Sequence, residues 1–517
     1  VTGGDAFLHK NLKDNTNLAT WDGELYLEMH RGTFTTKSNL KKANRTLEFK
    51  LRETELRAAL ASLTGTSYPS EELTECYKKF LLNQFHDILP GSHIHPVYED
   101  AMNDYRSVSE RLDAMLALTA GNEYFNSLNF TRSSITFIED ENGAITRHGV
   151  KGFWSIPTLA GLSTGTVAAL PSKENWLSTE FCDKCDCLVL ETPYYRAKLS
   201  SDGSFVSLYD KELDREWVKE GCGFNKLHLY ADNPGVYDAW DILPNYKDVQ
   251  VALNVDKPLA LVSSDGSSAE FAVTFTTEKS TWKMILRFFA DSRAIEVENV
   301  VDWDEKHKLV KVNFGPDVLT RELVCDTSAG FVKRDLTKNT SWQQARFEVC
   351  HHKWCDMSES GSGIAIINEG KYGVGLEKDE ISLSLLRATI RPDITSDIGH
   401  HDFCYTILPH SGDAVEAQVN KTAIEYNVPL CKSNVTVPAA LRDTLNNCGL
   451  YLQAMKRSED GQYLILRLSE QDGRRGKIAF PFEVQTMNLI EDIEGSTKVV
   501  SYHPFELITV AVKPEDL

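Results

Sequence analysis

Two hydrophobic rhythms divide this chain. In residues 37–63, "KSNLKKANRTLEFKLRETELRAALASL", Leu40, Ala43, Leu47, Leu51 and Ala58 recur at three-, four- and seven-residue steps. That spacing predicts one face of an amphipathic helix of about seven turns, built from good helix formers. In "GTSYPSEE", which follows, Ser70 reads as an N-cap, and Glu71 and Glu72 fall in the first turn, where the helix dipole favours acids. This second helix is expected to run on to Asp87 and to stop at Pro90-Gly91. A third covers roughly residues 96–119, with Val97, Met102, Tyr105, Leu112, Met115 and Leu116 as its buried stripe. Short connections between three helices predict an antiparallel bundle.

From about residue 123 the period changes to two. Runs such as "SITFIED", "CLVLETPYYRAKLS", "DVQVALNV", "EFAVTFTTE", "WKMILRFFA" and "AIEVENVVDW" alternate and are rich in β-branched and aromatic residues, with Gly, Asp, Asn and Ser between them. No long helical pattern returns, which reads as antiparallel β-sandwich and not as βαβ. The fold class is therefore α+β: a three-helix bundle followed by antiparallel β-sandwich domains. Boundaries fall at 37–122 for the bundle, 123–172 for a small β domain, 173–428 for a large β-sandwich and 429–517 for a C-terminal β-sandwich. A loop-like stretch near 410–440, containing Pro429 and Pro438, is expected to link the last two. Internal repeats and low-complexity segments are absent.

Composition narrows the function classes. The 517 residues include 42% hydrophobic and 25% charged positions, ordinary for globular protein. No run approaches the roughly 18 apolar residues a membrane span needs. The opening "VTGGDAFLHKNLKDNTNL" lacks the basic flank and apolar core of a secretory signal. It also lacks a Met, so the chain is expected to be a fragment or one piece of a processed polypeptide. A net charge of −20 repels phosphate backbones and anionic lipid, which argues against nucleic acid and membrane as partners. Eleven cysteines, an odd number scattered through a long chain, favour a reducing compartment over a disulfide framework. In "FCDKCDC", Cys182, Cys185 and Cys187 have a spacing that could hold a soft metal, but no fourth ligand lies nearby. N-x-S/T sequons at Asn44, Asn129, Asn339, Asn420 and Asn434 do not settle secretion.

Candidate chemistry is sparse. In "FLLNQFHDILPGS", His86 and Asp87 stand just before a helix-stopping Pro-Gly. They read either as ordinary surface residues at a helix C-terminus or as a metal ligand with a supporting carboxylate. One ligand makes no site, since catalytic zinc wants three protein ligands. The pairs His351-His352 and His400-His401 lie in strand-like runs, where neighbours face opposite ways, so at most one of each pair can enter a shared pocket. "WDGELYLEMHRGTFTT" alternates from Leu25 to Met29 and predicts a buried strand ending at His30-Arg31-Gly32, either a pocket rim or a cap on the first bundle helix. "NPGVYDAWDIL" mixes Asp238 and Asp241 with Tyr237 and Trp240, the composition of a sugar site or of an interdomain contact. No HExxH, GxSxG, GxxxxGK[ST] or GxGxxG is present, so the chain lacks a complete catalytic constellation.

Taken together, "GELYLEMHRGTFTT", "LLNQFHDILPGS", "FVSLYDKELDREW", "YDAWDIL", "SWQQARFEVCHHKW", "YGVGLEKDEISLSLLR", "HDFCYTILPH", "LYLQAMKRSEDGQYLILRLSE" and "PFELITV" resemble, in collinear order, the glycoside hydrolase family 38 α-mannosidases, nearest to their cytosolic or vacuolar branch. The resemblance implies a retaining exo-α-mannosidase acting on terminal mannose of oligosaccharides, with residues 1–36 as the end of a catalytic domain otherwise missing here. It implies Zn2+ (Co2+ in some members), of which His86 is one ligand with Asp87 in support. Glu28, His30 and Arg31 would line the rim of the mannose pocket, joined by Tyr237, Trp240 and Asp241 as substrate-binding residues. The other metal ligands, the nucleophile and the acid/base carboxylate are expected upstream, in an N-terminal catalytic half that this chain must meet, so the chain alone is expected to be inactive. A homo-oligomer and a cytoplasmic location, with vacuole or lysosome as the alternative, are further expectations. The competing reading is a non-catalytic carbohydrate-binding or structural β-sandwich fragment.

Overall fold

The computed structural model describes residues 3–13 and 17–517. A short exposed helix α1 (Gly4–Leu12) precedes the bundle of α2 (Ser38–Ser62), α3 (Ser70–Leu82) and α4 (His95–Ala117). Leu40, Leu47, Leu51, Leu73, Cys76, Phe80, Ala101, Tyr105, Val108 and Leu112 form the bundle core. The expected stripes are therefore present, but the second half of α2 is buried nearly all round. Its Leu56, Ala59 and Leu60 leave the bundle and pack under the C-terminal sheet, so one helix serves two cores.

Three local expectations need correction. Ser70 is the first helical residue and Pro69 occupies the cap, without a side-chain hydrogen bond. The α3 helix stops at Leu82 instead of reaching Asp87, closing through i→i+3 bonds from Gln84 N–H to Leu81 O and from Phe85 N–H to Leu82 O. Past Phe80 the segment still meets the bundle through Asn83, bonded to Asp104, and Gln84, bonded to Asn44, while Leu81, Leu82 and Phe85 lie exposed. Residues 25–29 form no strand; Leu25, Leu27 and Met29 face solvent, because only the alternate residues Glu24 and Tyr26 find anchors in the sandwich.

The β region follows the two-residue period closely. Strands Ser268–Thr276, Thr281–Phe289 and Ile295–Trp303 occupy the runs expected for them. An 11-stranded and a nine-stranded antiparallel sheet face each other across the largest core, which holds Trp217, Trp282 and Trp303. Strand Ser362–Asn368 is buried at every position because the helix Val419–Asn427 covers its second face, packing Val419 and Ala423 on Trp354, Ala365 and Ile367. Of the short helices α5 (Ser341–Ala345), α6 (Val419–Asn427) and α7 (Ala439–Leu445), none exceeds nine residues. The stretch 410–440 is thus an ordered connector, not a loop. Its strand Cys431–Ser433 pairs with Glu123–Asn126, completing a three-stranded sheet of the small β region. A five-stranded antiparallel sheet closes the chain, its apolar face lying on α2 and α7.

Two compositional expectations change as well. Cys185 and Cys187 are joined in a disulfide across a hairpin end, and the other nine cysteines are free. That bridge consumes two of the three thiols in "FCDKCDC", so no trio of thiolates remains there for a metal. Three of the five sequons are structural: Asn44, Asn129 and Asn420 are buried, and Asn129 donates to Leu445 O and Leu450 O. Among the described residues no helix is long and apolar enough to cross a membrane.

Candidate functional site

His86 and Asp87 occupy the tip of the bundle. The imidazole is 77% exposed, its Nε2 lies 3.5 Å from Asp87 Oδ2, and its ring lies against Phe85 at 4.1 Å between centroids, tilted by 43°. Asp87 Oδ1 accepts a hydrogen bond from Ser92 Oγ at 2.9 Å. The turn itself is held rigidly from below. Buried Lys41 donates to Leu89 O and Pro90 O at 3.0 and 3.1 Å and to Thr36 O, and its burial pushes the ammonium pKa down to about 7. Gly91 adopts φ +85°, and a Cβ there would stand 2.6 Å from Thr36 O, so only glycine fits. The start of α2 is fixed by Asp397, whose two oxygens accept the N–H groups of Lys37 and Ser38 at 2.6 and 2.7 Å. Nothing in the sequence marks Asp397 as that cap, because about 360 residues separate the partners.

Arg31 behaves differently from a pocket-rim residue. It is 6% exposed, and its guanidinium donates to Ala345 O from Nε and Nη2 (3.2 and 2.9 Å) and to Glu28 O from Nη1 (2.6 Å). It also lies over the Phe347 ring at 4.6 Å and 3.5 Å from Asp241 Oδ1. Main-chain contacts extend the join: Gly32 N–H donates to Trp240 O at 2.9 Å and Thr36 Oγ1 to Ala239 O at 3.0 Å. Fully buried Arg387 ties the same loop down through Ala239 O, Asp241 O and a 2.5 Å pair with Asp232. Asp238 is buried and accepts from Ile390 N–H at 2.6 Å, and burial raises its pKa. Of the two readings of "NPGVYDAWDIL", this geometry is that of a contact between segments, with Arg31, Trp240 and Asp241 brought together in it. Tyr237 is 67% exposed, and Glu28 and His30 are exposed at the same strap.

The two groups of residues approach one another without merging. A cavity of about 420 Å³ is lined by Thr33 and Phe34, just after Arg31, and by Gln84, Leu89 and Pro90 of the tip. His401 is buried and His400 exposed on strand Gly399–Ser411, as alternation requires, whereas His351 and His352 fall just past strand Glu348–Cys350 instead of in one, with His351 buried and His352 lining the cavity. His351 is hydrogen-bonded at both ring nitrogens, and burial lowers its pKa to about 4. None of these histidines is placed to join His86.

Comparison with known proteins follows the same division of the chain. The family profile described as "Alpha mannosidase middle domain" matches residues 28–121, "Glycosyl hydrolases family 38 C-terminal domain" matches 190–395, and "Glycosyl hydrolases family 38 C-terminal beta sandwich domain" matches 449–510. The chain belongs to glycoside hydrolase family 38. Alpha-mannosidase 2C1 of Homo sapiens is 31% identical over 89% of this chain and 46% of its own length. The alpha-mannosidase of Saccharomyces cerevisiae is 30% identical over 81% of this chain and 38% of its own. The chain therefore spans about half the length, or less, of these curated family 38 relatives. A crystal structure of an alpha-mannosidase from Enterococcus faecalis superposes on 99% of this chain and 72% of that one, with a TM-score of 0.76 at 13% identity, and so shares its fold.

Proposed function

We propose that this chain provides the bundle and β domains of a retaining exo-α-mannosidase that removes terminal α-linked mannose from oligosaccharides. The observation that carries the reading is His86: an imidazole held out at a rigid apolar tip, in a chain whose curated relatives are α-mannosidases about twice its length. Its ring is accessible and its one polar neighbour is Asp87, which fits a ligand contributed to a Zn2+ (or Co2+) site completed by a second body. Bound there, the ion would hold hydroxyls of the terminal mannose. His86 supplies position and affinity, with Asp87 orienting it, and neither moves a proton in the reaction. Retention requires two carboxylates about 5 Å apart, one to attack the anomeric carbon and one to protonate the leaving oxygen and later activate water. Both are assigned to an N-terminal catalytic half, which would rest against the tip and the exposed strap of Leu25, Leu27 and Met29. Of the substrate-binding expectations, Glu28, His30 and Tyr237 retain exposed side chains for a rim, whereas Arg31, Trp240 and Asp241 act through the fixed strap. A cytoplasmic location, from the scattered free cysteines and the branch resembled, and a homo-oligomer belong to the same reading.

The test uses this chain and the same chain joined to its catalytic half. The chain alone is expected to show no turnover of an aryl α-mannoside. In the complete enzyme, His86→Ala is expected to lower zinc content and activity together, leaving the melting temperature of this chain unchanged. Full activity and full zinc in that variant would leave the non-catalytic β-sandwich reading in possession.

A further inference from the structure

Strand Gly399–Ser411 carries Asp402 and Cys404 into a junction of the small β region, the large sandwich and α2. His148 enters from the turn between strands Ile145–Arg147 and Val150–Ser155, in the left-handed region at φ 50°. Its N–H donates to Glu298 Oε1 at 2.7 Å, which fixes the turn. Nε2 of the ring lies 2.8 Å from Glu369 Oε1 and 3.4 Å from Cys404 Sγ. Nδ1, buried and without a hydrogen bond, lies 3.1 Å from Asp402 Oδ2 and 3.5 Å from Glu298 Oε1. Acceptors therefore face both ring nitrogens. A neutral imidazole has one proton and one lone pair, and either way round a lone pair would abut a carboxylate. A cation held between Nε2, Glu369 Oε1 and Cys404 Sγ would satisfy these acceptors.

The surroundings favour a cation of higher charge. Arg147, Arg287 and Lys42 are paired with Glu270, Glu296, Glu298, Glu369 and Asp402, so carboxylates outnumber the cations ion-paired with them, with Lys371 also acting on Glu369 and Asp402. The donor set points the same way. A thiol adds nothing to an imidazolium ion pair, whereas N, O and S donors whose ligating atoms all lie within 4.8 Å could hold a metal ion. Tetrahedral Zn2+, with bonds of about 2.0–2.2 Å to N or O and about 2.3 Å to S, sets N and S about 3.5 Å and N and O about 3.3 Å apart. The observed 3.4 Å matches, and the 2.8 Å needs the Glu369 carboxylate to retreat by about half an ångström.

We propose that His148 Nε2, Glu369 Oε1 and Cys404 Sγ bind a divalent borderline-soft cation, Zn2+ by chemical class. Water takes the fourth position, and Asp402 and Glu298 face the protonated Nδ1 from behind. Binding converts the Cys404 thiol to a thiolate, its proton passing to solvent. The ion would pin the 147–149 turn to the sandwich. This site shares no residue with the bundle tip and does not depend on the function proposed there.

Chelator-treated chain titrated with Co2+ tests it. One equivalent is expected to give a thiolate-to-Co2+ charge-transfer band in the near ultraviolet, and Zn2+ is expected to quench that band and raise the melting temperature. The band is expected to vanish in Cys404→Ser and to persist in His86→Ala and in Cys185→Ser/Cys187→Ser. Because Cys404 is fully buried, Glu369→Gln serves as a second variant, with Zn2+ affinity expected to fall by about tenfold or more. Absence of the band in the unaltered chain, its survival in Cys404→Ser, or unchanged affinity in Glu369→Gln overturns the proposal in favour of an imidazolium ion-pair network.

Discussion

Replacing Arg31 by alanine separates a structural clasp from a substrate contact. The guanidinium serves two carbonyl acceptors, Ala345 O and Glu28 O, at 2.6–3.2 Å. Hydrogen bonds from a charged donor contribute about 1.5–3 kcal/mol each, and the contact with the Phe347 ring adds about 1 kcal/mol. The ion pair with Asp241 adds less than about 1 kcal/mol, because that carboxylate is still 28% exposed. Freeing the long side chain returns roughly 2 kcal/mol of rotamer entropy. The net cost of Arg31→Ala is then about 3 kcal/mol, and of Asp241→Asn less than about 1 kcal/mol. A chain of several domains does not unfold in one step, so a single midpoint is the wrong measure. Amide hydrogen exchange at residues 28–36 and 233–243 reads the local opening directly. At about 1.4 kcal/mol per tenfold, exchange there should accelerate by about a hundredfold in Arg31→Ala and only a fewfold in Asp241→Asn. If exchange in Arg31→Ala is unchanged while KM rises in the complete enzyme, the side chain touches substrate and the clasp account is wrong.

Other perturbations test the frame that holds the tip. Burial raises the Glu55 carboxyl to about 7, with Lys456 and Arg467 only partly countering it. The folded chain thus holds this proton where the unfolded chain, at about 4.5, has lost it, so stability falls as pH rises from about 4.5 through 7. Glu55→Gln should remove that fall and gain up to about 3 kcal/mol at pH 8 relative to pH 5, measured by urea unfolding at the two values; an undiminished fall would sink the assignment. Gly91→Ala should cost about 2 kcal/mol or more, through both the positive φ and the close approach to Thr36 O, seen as faster amide hydrogen exchange in the turn around residues 88–93.

What the sequence disclosed depended on how far apart the causes lay. Bundle helices and sandwich strands were legible because their periodicities are local: α2 was expected at 37–63 and lies at Ser38–Ser62. The tip was half legible. Pro90-Gly91 marked where the helix could not continue, but its earlier end at Leu82, after which Asn83 and Gln84 bond sideways to Asp104 and Asn44, is reported by no local pattern. The strap misled by its alternation, since Leu25, Leu27 and Met29 face outward and the intervening Tyr26 holds on through Glu348 O. Arg31 and the "NPGVYDAWDIL" acids were singled out as a pocket rim and as a sugar site or interdomain contact; the structure joins them in a contact, Arg31 through main-chain carbonyls and Asp238 through the Ile390 N–H. Connections of this reach, such as Asp397 to the start of α2, are written in no stretch short enough to read.

On the proposed reading, a ligand meant for a site on another body is left unsatisfied on its own, a condition that His86 meets. His351 and His401 have what a folded core gives a histidine: buried rings with hydrogen bonds to main-chain carbonyls. His86 has neither, and it is framed by Leu81, Leu82 and Phe85, each more than half exposed. Apolar side chains left in water at about 25 cal/mol per Å² of surface are a standing cost that covering them would relieve. Their cost also explains why the turn is so firmly fixed from beneath by Lys41 and Gly91. A mobile tip could fold its leucines back onto α3, and the imidazole would then lose a defined position. On the proposed reading, rigidity below and exposure above are two halves of one requirement, because a shared metal tolerates displacements of only a few tenths of an ångström in each ligand.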